Sequence, residues 1–220
     1  MTARAGSIAV RTRQPARRVR TVLSGSLLTA LVVLGASACS SGSSGLPSTF
    51  SDAVGVMQDA GGYTFTASVT TGTDTAPSVT LTGDFQAPNL VAQTVTKSGA
   101  APVAMVLDGG TVHVQDARTA AWTTQPATTS GTVDLRQAFI ALSKANDVKV
   151  TGDTATFTLS GDAAKTLVGA DVSGKATVSI TLGPVGLAQL TYRATVGGRP
   201  VSVTLDYAAV GTAPKVTVPA

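Results

Sequence analysis

The chain has 220 residues with 16 basic and 12 acidic side chains, no glutamate and a single cysteine. The first 38 residues hold six of the basic groups and no acid, so residues 39–220 keep ten basic and twelve acidic groups, a net charge of −2. That balance excludes the basic patch that nucleic-acid binding needs. One cysteine excludes a disulfide framework and a multi-thiolate metal site.

The first 38 residues predict a secretory signal peptide. An arginine-rich start is followed by an apolar run over residues 22–38, which ends in the small residues Ala36, Ser37 and Ala38. A transmembrane helix is one alternative, although the run falls a little short of the ~20 apolar residues of a span. An ordinary secreted protein, in which the cysteine has no role, is the other.

The cysteine stands directly at the predicted cleavage point. Leu34-Gly35-Ala36-Ser37-Ala38-Cys39 resembles the lipobox of bacterial lipoproteins, with Ala36 where that pattern usually has leucine. The resemblance implies a diacylglyceryl group on the Cys39 sulfur, cleavage before Cys39, and anchoring to the extracytoplasmic face of the cell membrane by acyl chains such as palmitate. We therefore expect a lipoprotein signal peptide at 1–38, a lipidated cysteine with a flexible Ser/Gly tether at 39–45, and a folded domain at 46–220.

The folded domain opens with a predicted amphipathic helix over residues 46–60. Its apolar face is formed by three residues at helical spacing, namely Phe50, Val54 and Met57. Ser48 or Ser51 is the candidate N-cap. The pair Gly61-Gly62 is expected to end the helix.

From residue 63 the apolar period changes to two, which predicts ten to eleven short strands. Twelve segments have strand character, of which ten to eleven are expected to form strands, namely 63–70, 78–85, 90–97, 102–107, 111–115, the residues around Trp122, 148–150, 157–159, 178–182, 190–196, 201–207 and 215–218. A second helix is predicted over 134–145, with Asp134 in its first turn, and a short helix or turn over 163–168. Each strand has one apolar and one threonine-rich face, which indicates an antiparallel sheet covered on one side in an α+β domain.

Catalytic chemistry has little support in the sequence. His113 is the only histidine, and the alternation places it on the polar face with Thr111 and Gln115. No glutamate is present to pair with an aspartate for acid–base work, and most aspartates fall at turns or helix starts. We therefore expect neither an enzyme nor a bound cofactor or metal.

The order and spacing of these segments resemble the LppX/LprG-type mycobacterial lipoproteins (the LppX_LprAFG family), and more remotely the LolA/LolB lipoprotein carriers. The segments that carry the resemblance are the helix and strand from Leu46 to Val69, Val106-Leu107-Asp108-Gly109 leading to Trp122, Asp134-Leu135-Arg136-Gln137-Ala138-Phe139 through to Thr158-Leu159-Ser160-Gly161, and the closing segments Leu187-Ala188-Gln189-Leu190, Val201-Ser202-Val203-Thr204-Leu205 and Lys215-Val216-Thr217-Val218-Pro219.

The resemblance implies a curved antiparallel half-barrel of about 10–11 strands with two or three helices on its concave face. It also implies an apolar cavity that binds the acyl chains of a lipid or glycolipid and carries or presents them in the cell envelope, with an envelope transporter as a further partner. The residues expected to line that cavity are Phe50, Val54, Met57, Phe65, Val69, Leu81, Phe85, Met105, Leu107, Val114, Phe139, Leu142, Ile180, Leu190, Tyr192 and Leu205.

Two readings of that apolar set stay open. Periodicity alone favours residues that pack together as a solid core, which would make the protein a surface lipoprotein that acts as a protein-interaction module without a ligand. The small size of the abundant Val, Ala and Thr side chains, together with the resemblance, favours an interior that leaves room for a lipid.

Overall fold

The computed structural model describes residues 45–127, 137–212 and 214–219, so the predicted signal peptide, Cys39 and Asp134 lie outside the described residues. The described ranges contain three helices, namely α1 (Ser48–Asp59), α2 (Gln137–Leu142) and α3 (Gly161–Val168). They contain eleven strands, namely β1 (Gly62–Thr71), β2 (Val79–Gln86), β3 (Leu90–Lys97), β4 (Val103–Asp108), β5 (Thr111–Gln115), β6 (Trp122–Pro126), β7 (Asn146–Thr151), β8 (Thr154–Ser160), β9 (Lys175–Leu182), β10 (Leu187–Val196) and β11 (Arg199–Ala208).

All eleven strands form one antiparallel sheet in the order β6-β5-β4-β3-β2-β1-β11-β10-β9-β8-β7. The sheet is curved and unclosed, and β6 and β7 are its two edges. The half-barrel fold class and the predicted strand number are therefore confirmed. Because α2 lies in the segment that joins β6 to β7, the chain passes from one edge of the sheet to the other through this helix.

The strand register separates an apolar face from a hydroxyl-rich face. One row of hydroxyl side chains crosses seven neighbouring strands, namely Thr156, Ser179, Thr191, Thr204, Ser68, Thr80 and Thr96. Within that row the hydroxyls of Thr191 and Thr204 are 3.3 Å apart. The alternation predicted from the sequence is thus observed, because a period of two sends neighbouring side chains to opposite faces.

The helices cover the apolar face. Helix α1 buries Phe50, Val54 and Met57, the stripe predicted from helical spacing, together with Ala53. Helix α3 buries Leu167 and Val168, among others. The core therefore lies between one sheet face and three helices, as in other α+β layers.

The ends of α1 differ from the prediction. The residue before the helix is Pro47, and it makes no side-chain cap hydrogen bond, so neither Ser48 nor Ser51 holds the N-cap position. The hydroxyl of Ser51 donates to the carbonyl of Leu46 instead, at 3.4 Å. The helix ends because Ala60 turns to an extended conformation (φ −58°, ψ 131°), one residue before the predicted glycine pair.

Two further predictions were wrong in extent or type. Helix α2 ends at Leu142 rather than 145, and residues 134–136 of its predicted start lie outside the described residues. Residues 214–219 form no strand; the Val216 N–H donates to the side-chain oxygen of Gln86 at 2.9 Å. Since β2, which contains Gln86, already pairs with β1 and β3, it offers no edge to which residues 215–218 could add.

Candidate functional site

The residues predicted to line a lipid cavity converge on the space between the sheet and the helices. All of them except Phe65, Val114 and Leu205 belong to one continuous buried apolar cluster, and these three pack against it with part of their surface exposed. The cluster reaches from β5 across the sheet to β8. One interior therefore contains residues separated by more than a hundred positions in the sequence.

The centre of this interior is closely packed. Met57 of α1, Phe85 of β2 and Leu142 of α2 each expose 0% of their surface. In this conformation these side chains contact protein on every side, so an acyl chain could reach them only if a helix moved away from the sheet. Their role in lining a lipid cavity accordingly stays a prediction.

A group of aromatic rings attaches α2 to the sheet. The Phe139 ring lies 6.3 Å from that of Tyr63 in β1 and 5.8 Å from that of Tyr207 in β11, measured between centroids. Tyr63 in turn lies 4.8 Å from Phe85. These separations are typical of favourable aromatic pairs, so Phe139 is a main contact between the short helix and the middle strands.

Burial also fixes the ionisation of two tyrosines that face this interior. Loss of solvent raises the pKa of Tyr192 above its ordinary value. Burial likewise raises the pKa of Tyr207, and the neighbouring Tyr63 adds to the shift. Both phenols therefore ionise only at a more alkaline pH than an exposed tyrosine does.

One row across four strands contains an interior polar group that sequence reasoning missed. In register from β1 to β4 the row consists of Phe65, Gly83, Gln93 and Met105. Gln93 is 7% exposed, and its side-chain nitrogen Nε2 has no hydrogen-bond partner among the described residues. The sequence contains one sign of this group: in β3, a glutamine stands between Val91 and Val95 at a position where the alternation predicts an apolar residue.

Gly83 makes close packing possible in the same row. A Cβ at this position would lie 2.8 Å from the tip of the Phe65 ring and 3.0 Å from the Cβ of Gln93. The absence of a side chain therefore allows the ring of Phe65 to lie over β2, close to the base of the Gln93 side chain.

An open groove of about 630 Å³ runs along the threonine-rich side of the sheet. Its lining includes Thr64, Thr66, Asp84, Asp206 and Trp122, and it also includes the row of Phe65, Gly83, Gln93 and Met105. The register places His113 opposite Val106 on this outer face, as predicted.

Across 45–127, 137–212 and 214–219, no three His, Cys, Asp or Glu side chains are grouped so that they could hold a metal ion. None of the described helices has the length and apolar character needed to cross a membrane.

No protein-family model and no curated protein matches the sequence. The chain is similar in structure to lipoprotein LppX of Mycobacterium tuberculosis, at 15% identity and a TM-score of 0.49, over 75% of this chain and 94% of LppX. It is also similar to the LolA-superfamily protein NE2245 of Nitrosomonas europaea, at 7% identity and a TM-score of 0.35, over 76% of this chain and 94% of that protein. Both neighbours are of the types named by the sequence resemblance, and the fold itself is established by the sheet: an unclosed antiparallel half-barrel of eleven strands with three helices on its apolar face.

Proposed function

We propose that this protein is a membrane-anchored extracytoplasmic lipoprotein that binds acyl chains of a lipid or lipoglycan between its sheet and helices and carries or presents them in the cell envelope. The observation that carries the proposal is that a short helix covers the apolar interior. A six-residue helix, α2, lies over the cluster, and the chain around it leads to the two unpaired edges of the sheet. The interior can therefore open by movement of one short segment while the hydrogen bonds between all neighbouring strands stay intact.

Movement of α2 has a cost, because its side chains Phe139 and Leu142 are both buried and truncating such a side chain costs about 2–5 kcal/mol. An acyl chain that fills the vacated space makes apolar contacts in their place, and each methylene group that it keeps out of water contributes ~0.8 kcal/mol.

The start of the described chain supports a particular orientation at the membrane. Gly45 lies against the carbonyl of Ala145 and near the side chain of Val148, at the junction of α2 and β7. Cys39 is six residues earlier in the sequence, and a Ser/Gly-rich linker of six residues spans ~12–15 Å. If Cys39 is acylated, the rim formed by α2 and β7 is held close to the bilayer.

The same rim has apolar side chains that suit contact with lipid. Ile140 of α2 is 42% exposed and Val150 of β7 is 47% exposed, and both are among the few large apolar residues at the described surface. The neighbouring Lys149 is also exposed and can approach anionic headgroups. We place the entry of the acyl chain at this rim.

A protein-interaction module with a solid core is the second candidate. It is favoured by the complete burial of Met57, Phe85 and Leu142, which leaves no space beside these side chains. The two candidates differ in one respect that can be measured, because only the first brings acyl chains into contact with the apolar face of the sheet.

Photo-crosslinking in intact membranes tests the proposal. The full chain is produced in bacteria that incorporate a phospholipid with a diazirine in its acyl tail, and crosslinked peptides are identified by mass spectrometry after irradiation. We expect crosslinks on α2 and on apolar-face residues such as Leu107 and Val178. A phospholipid with the diazirine in its headgroup is the control and should give fewer crosslinks on these apolar-face residues than the tail probe gives. Tail crosslinks confined to the rim and to residues near Cys39 would support the solid-cored module.

The anchor needs a separate test. Labelling with a radioactive or alkyne fatty acid, with and without globomycin, reports acylation of Cys39. We expect a labelled mature protein that begins at Cys39 and a longer precursor when globomycin is present. An unlabelled protein, or one that begins elsewhere, would remove the membrane anchor from the proposal.

A further inference from the structure

Gln93 is a polar residue at an interior position of the sheet. Val91 and Val95, its neighbours on the same face of β3, are each 3% exposed, and Gln93 itself is 7% exposed. Its Nε2 atom is the one buried side-chain nitrogen or oxygen without a hydrogen-bond partner in the described part of the chain. Buried amides are nearly always hydrogen-bonded, because burying one without a partner is unfavourable.

The residues that face Gln93 across the ladders do not supply a strong acceptor. Gly83, its partner in β2, has no side chain, and Met105, its partner in β4, offers only a thioether sulfur. Neither of these facing residues is charged. The missing partner of the amide is therefore a neutral oxygen acceptor rather than a phosphate or a free carboxylate, which would bring an unpaired charge into an apolar row.

Phe65 occupies the space beside Gln93. The tip of its ring fills the position above Gly83 that a side chain would otherwise occupy, and the Cβ of Gln93 borders the same position. Phe65 is only partly buried where it packs against the core, so its ring has exposed space into which it can turn. That rotation would open a gap beside the Gln93 side chain.

We propose that the side-chain amide of Gln93 donates a hydrogen bond to the ester carbonyl oxygen of a bound acyl lipid. The inference rests on the proposed function, and it deepens it by naming the chemical group that is recognised: a neutral acyl ester, held at the row of Phe65, Gly83 and Met105. An ester carbonyl is a neutral acceptor attached directly to a long apolar chain, which matches a single amide donor within an apolar cluster.

Two lipids that differ at one group test the assignment. 1-Palmitoylglycerol has an ester carbonyl, and 1-O-hexadecylglycerol has a methylene in its place with the same chain length. Both are titrated onto the full chain in a non-ionic detergent, and binding is followed by native mass spectrometry. We expect the ester to bind about tenfold more tightly than the ether, the effect of one buried hydrogen bond.

Variants at neighbouring positions of β3 complete the test. Gln93→Met keeps the approximate shape but removes the donor, and Gln93→Leu is a second such variant in case one folds poorly. Thr94→Val is the matched control, because it removes a hydroxyl from the adjacent residue on the opposite face. We expect Gln93→Met and Gln93→Leu to bind the two lipids equally and Thr94→Val to keep the tenfold preference.

The outcomes separate this inference from the proposed function. Equal affinity of the wild-type chain for ester and ether, or a preference that persists in both Gln93 variants, overturns the role of Gln93 and leaves the carrier function standing. Failure of the wild-type chain to bind either lipid overturns both.

Discussion

The ring of Phe139 lies 5.8 Å from the ring of Tyr207, which joins helix α2 to β11. Strands β11 and β1 are neighbours in the middle of the sheet, and Phe139 also contacts Tyr63 of β1. Helix α2 is thus attached to the centre of the sheet, while the chain on its two sides leads to the edges β6 and β7. Phe139 therefore links α2 to the central strands, while the helix also packs against α3 and α1.

Replacement of Phe139 should loosen this cover. We expect Phe139→Ala to lower the free energy of unfolding by about 3–5 kcal/mol, the usual cost of removing a buried phenylalanine ring, and to increase amide hydrogen exchange in residues 137–145. The rate of acyl-lipid uptake should rise in the same variant. Urea denaturation, hydrogen-exchange mass spectrometry and lipid uptake provide the measurements.

Ile140→Ala is the control for that experiment. Its side chain is 42% exposed on the same helix, so the change in stability should stay within about 0.5 kcal/mol. Equal effects of the two substitutions on hydrogen exchange would contradict the assignment of Phe139 as the contact that holds α2.

Removal of the interior amide should stabilise the protein measured without added lipid. Gln93→Met takes away a buried donor that has no described partner, so we expect the free energy of unfolding to rise by about 1 kcal/mol or more. Thr94→Val, on the hydroxyl-rich face of the same strand, should change it little. Chemical denaturation of the three chains measures the difference; a loss of stability in Gln93→Met would mean that the amide has a partner in the protein.

The buried tyrosines predict a loss of stability in alkali. Burial raises the pKa of Tyr192 and of Tyr207 above the value near 10 of an unfolded chain. Above about pH 10 the folded chain therefore holds more protons than the unfolded chain, and the free energy of unfolding falls as the pH rises; below that pH the contribution is fully present.

The double variant Tyr192→Phe, Tyr207→Phe tests whether these two tyrosines cause the loss of stability at alkaline pH. Thermal unfolding between pH 8 and pH 11.5 should show a smaller decline of Tm at alkaline pH in the double variant than in the wild type. An unchanged decline would assign it to other groups.

The orientation at the membrane can be measured with nitroxide labels, because the only native cysteine is the predicted acylation site. Ile140→Cys and Val150→Cys place a label on the rim of α2 and β7. Val185→Cys is the control, because Val185 is exposed (55%) but lies away from the rim. The adjacent Gly186 packs against Met57, which is about 14 Å along α1 from the start of that helix. In liposomes we expect both rim labels to be more accessible to oxygen than to a water-soluble nickel complex.

The control label should show the opposite preference. A similar depth for all three labels, or a deeper position for Val185→Cys, would contradict the proposed orientation.

The strands could be predicted from the sequence because their signal is local. Alternation such as Tyr63, Phe65, Ala67 and Val69 reports a half-buried strand without knowledge of its neighbours. Residues 215–218 show the same alternation, yet the prediction of a strand was wrong there. The outcome depends on whether a neighbouring strand has an open edge, which is decided by the topology of the whole sheet.

The interior was predictable only in part, for a related reason. The residues that face it follow from periodicity, and most are buried as a cluster. How tightly they pack depends on the curvature of the sheet and on helix positions, neither of which is encoded in the spacing of apolar residues. The burial of the polar member, Gln93, could not be read from the apolar pattern, because a glutamine at an apolar-phase position lies in the interior only if the neighbouring strands cover it.

Lipid extraction tests the central claim most directly, since that claim is that acyl chains bind between the sheet and the helices. The chain from Ser40 onward, which lacks the acylated cysteine, is purified from bacteria without detergent and extracted with organic solvent, and the extract is analysed by mass spectrometry. We predict about one acyl lipid per protein molecule and its displacement by a fluorescent fatty acid. A folded protein that yields no lipid and binds no fluorescent fatty acid would contradict the account.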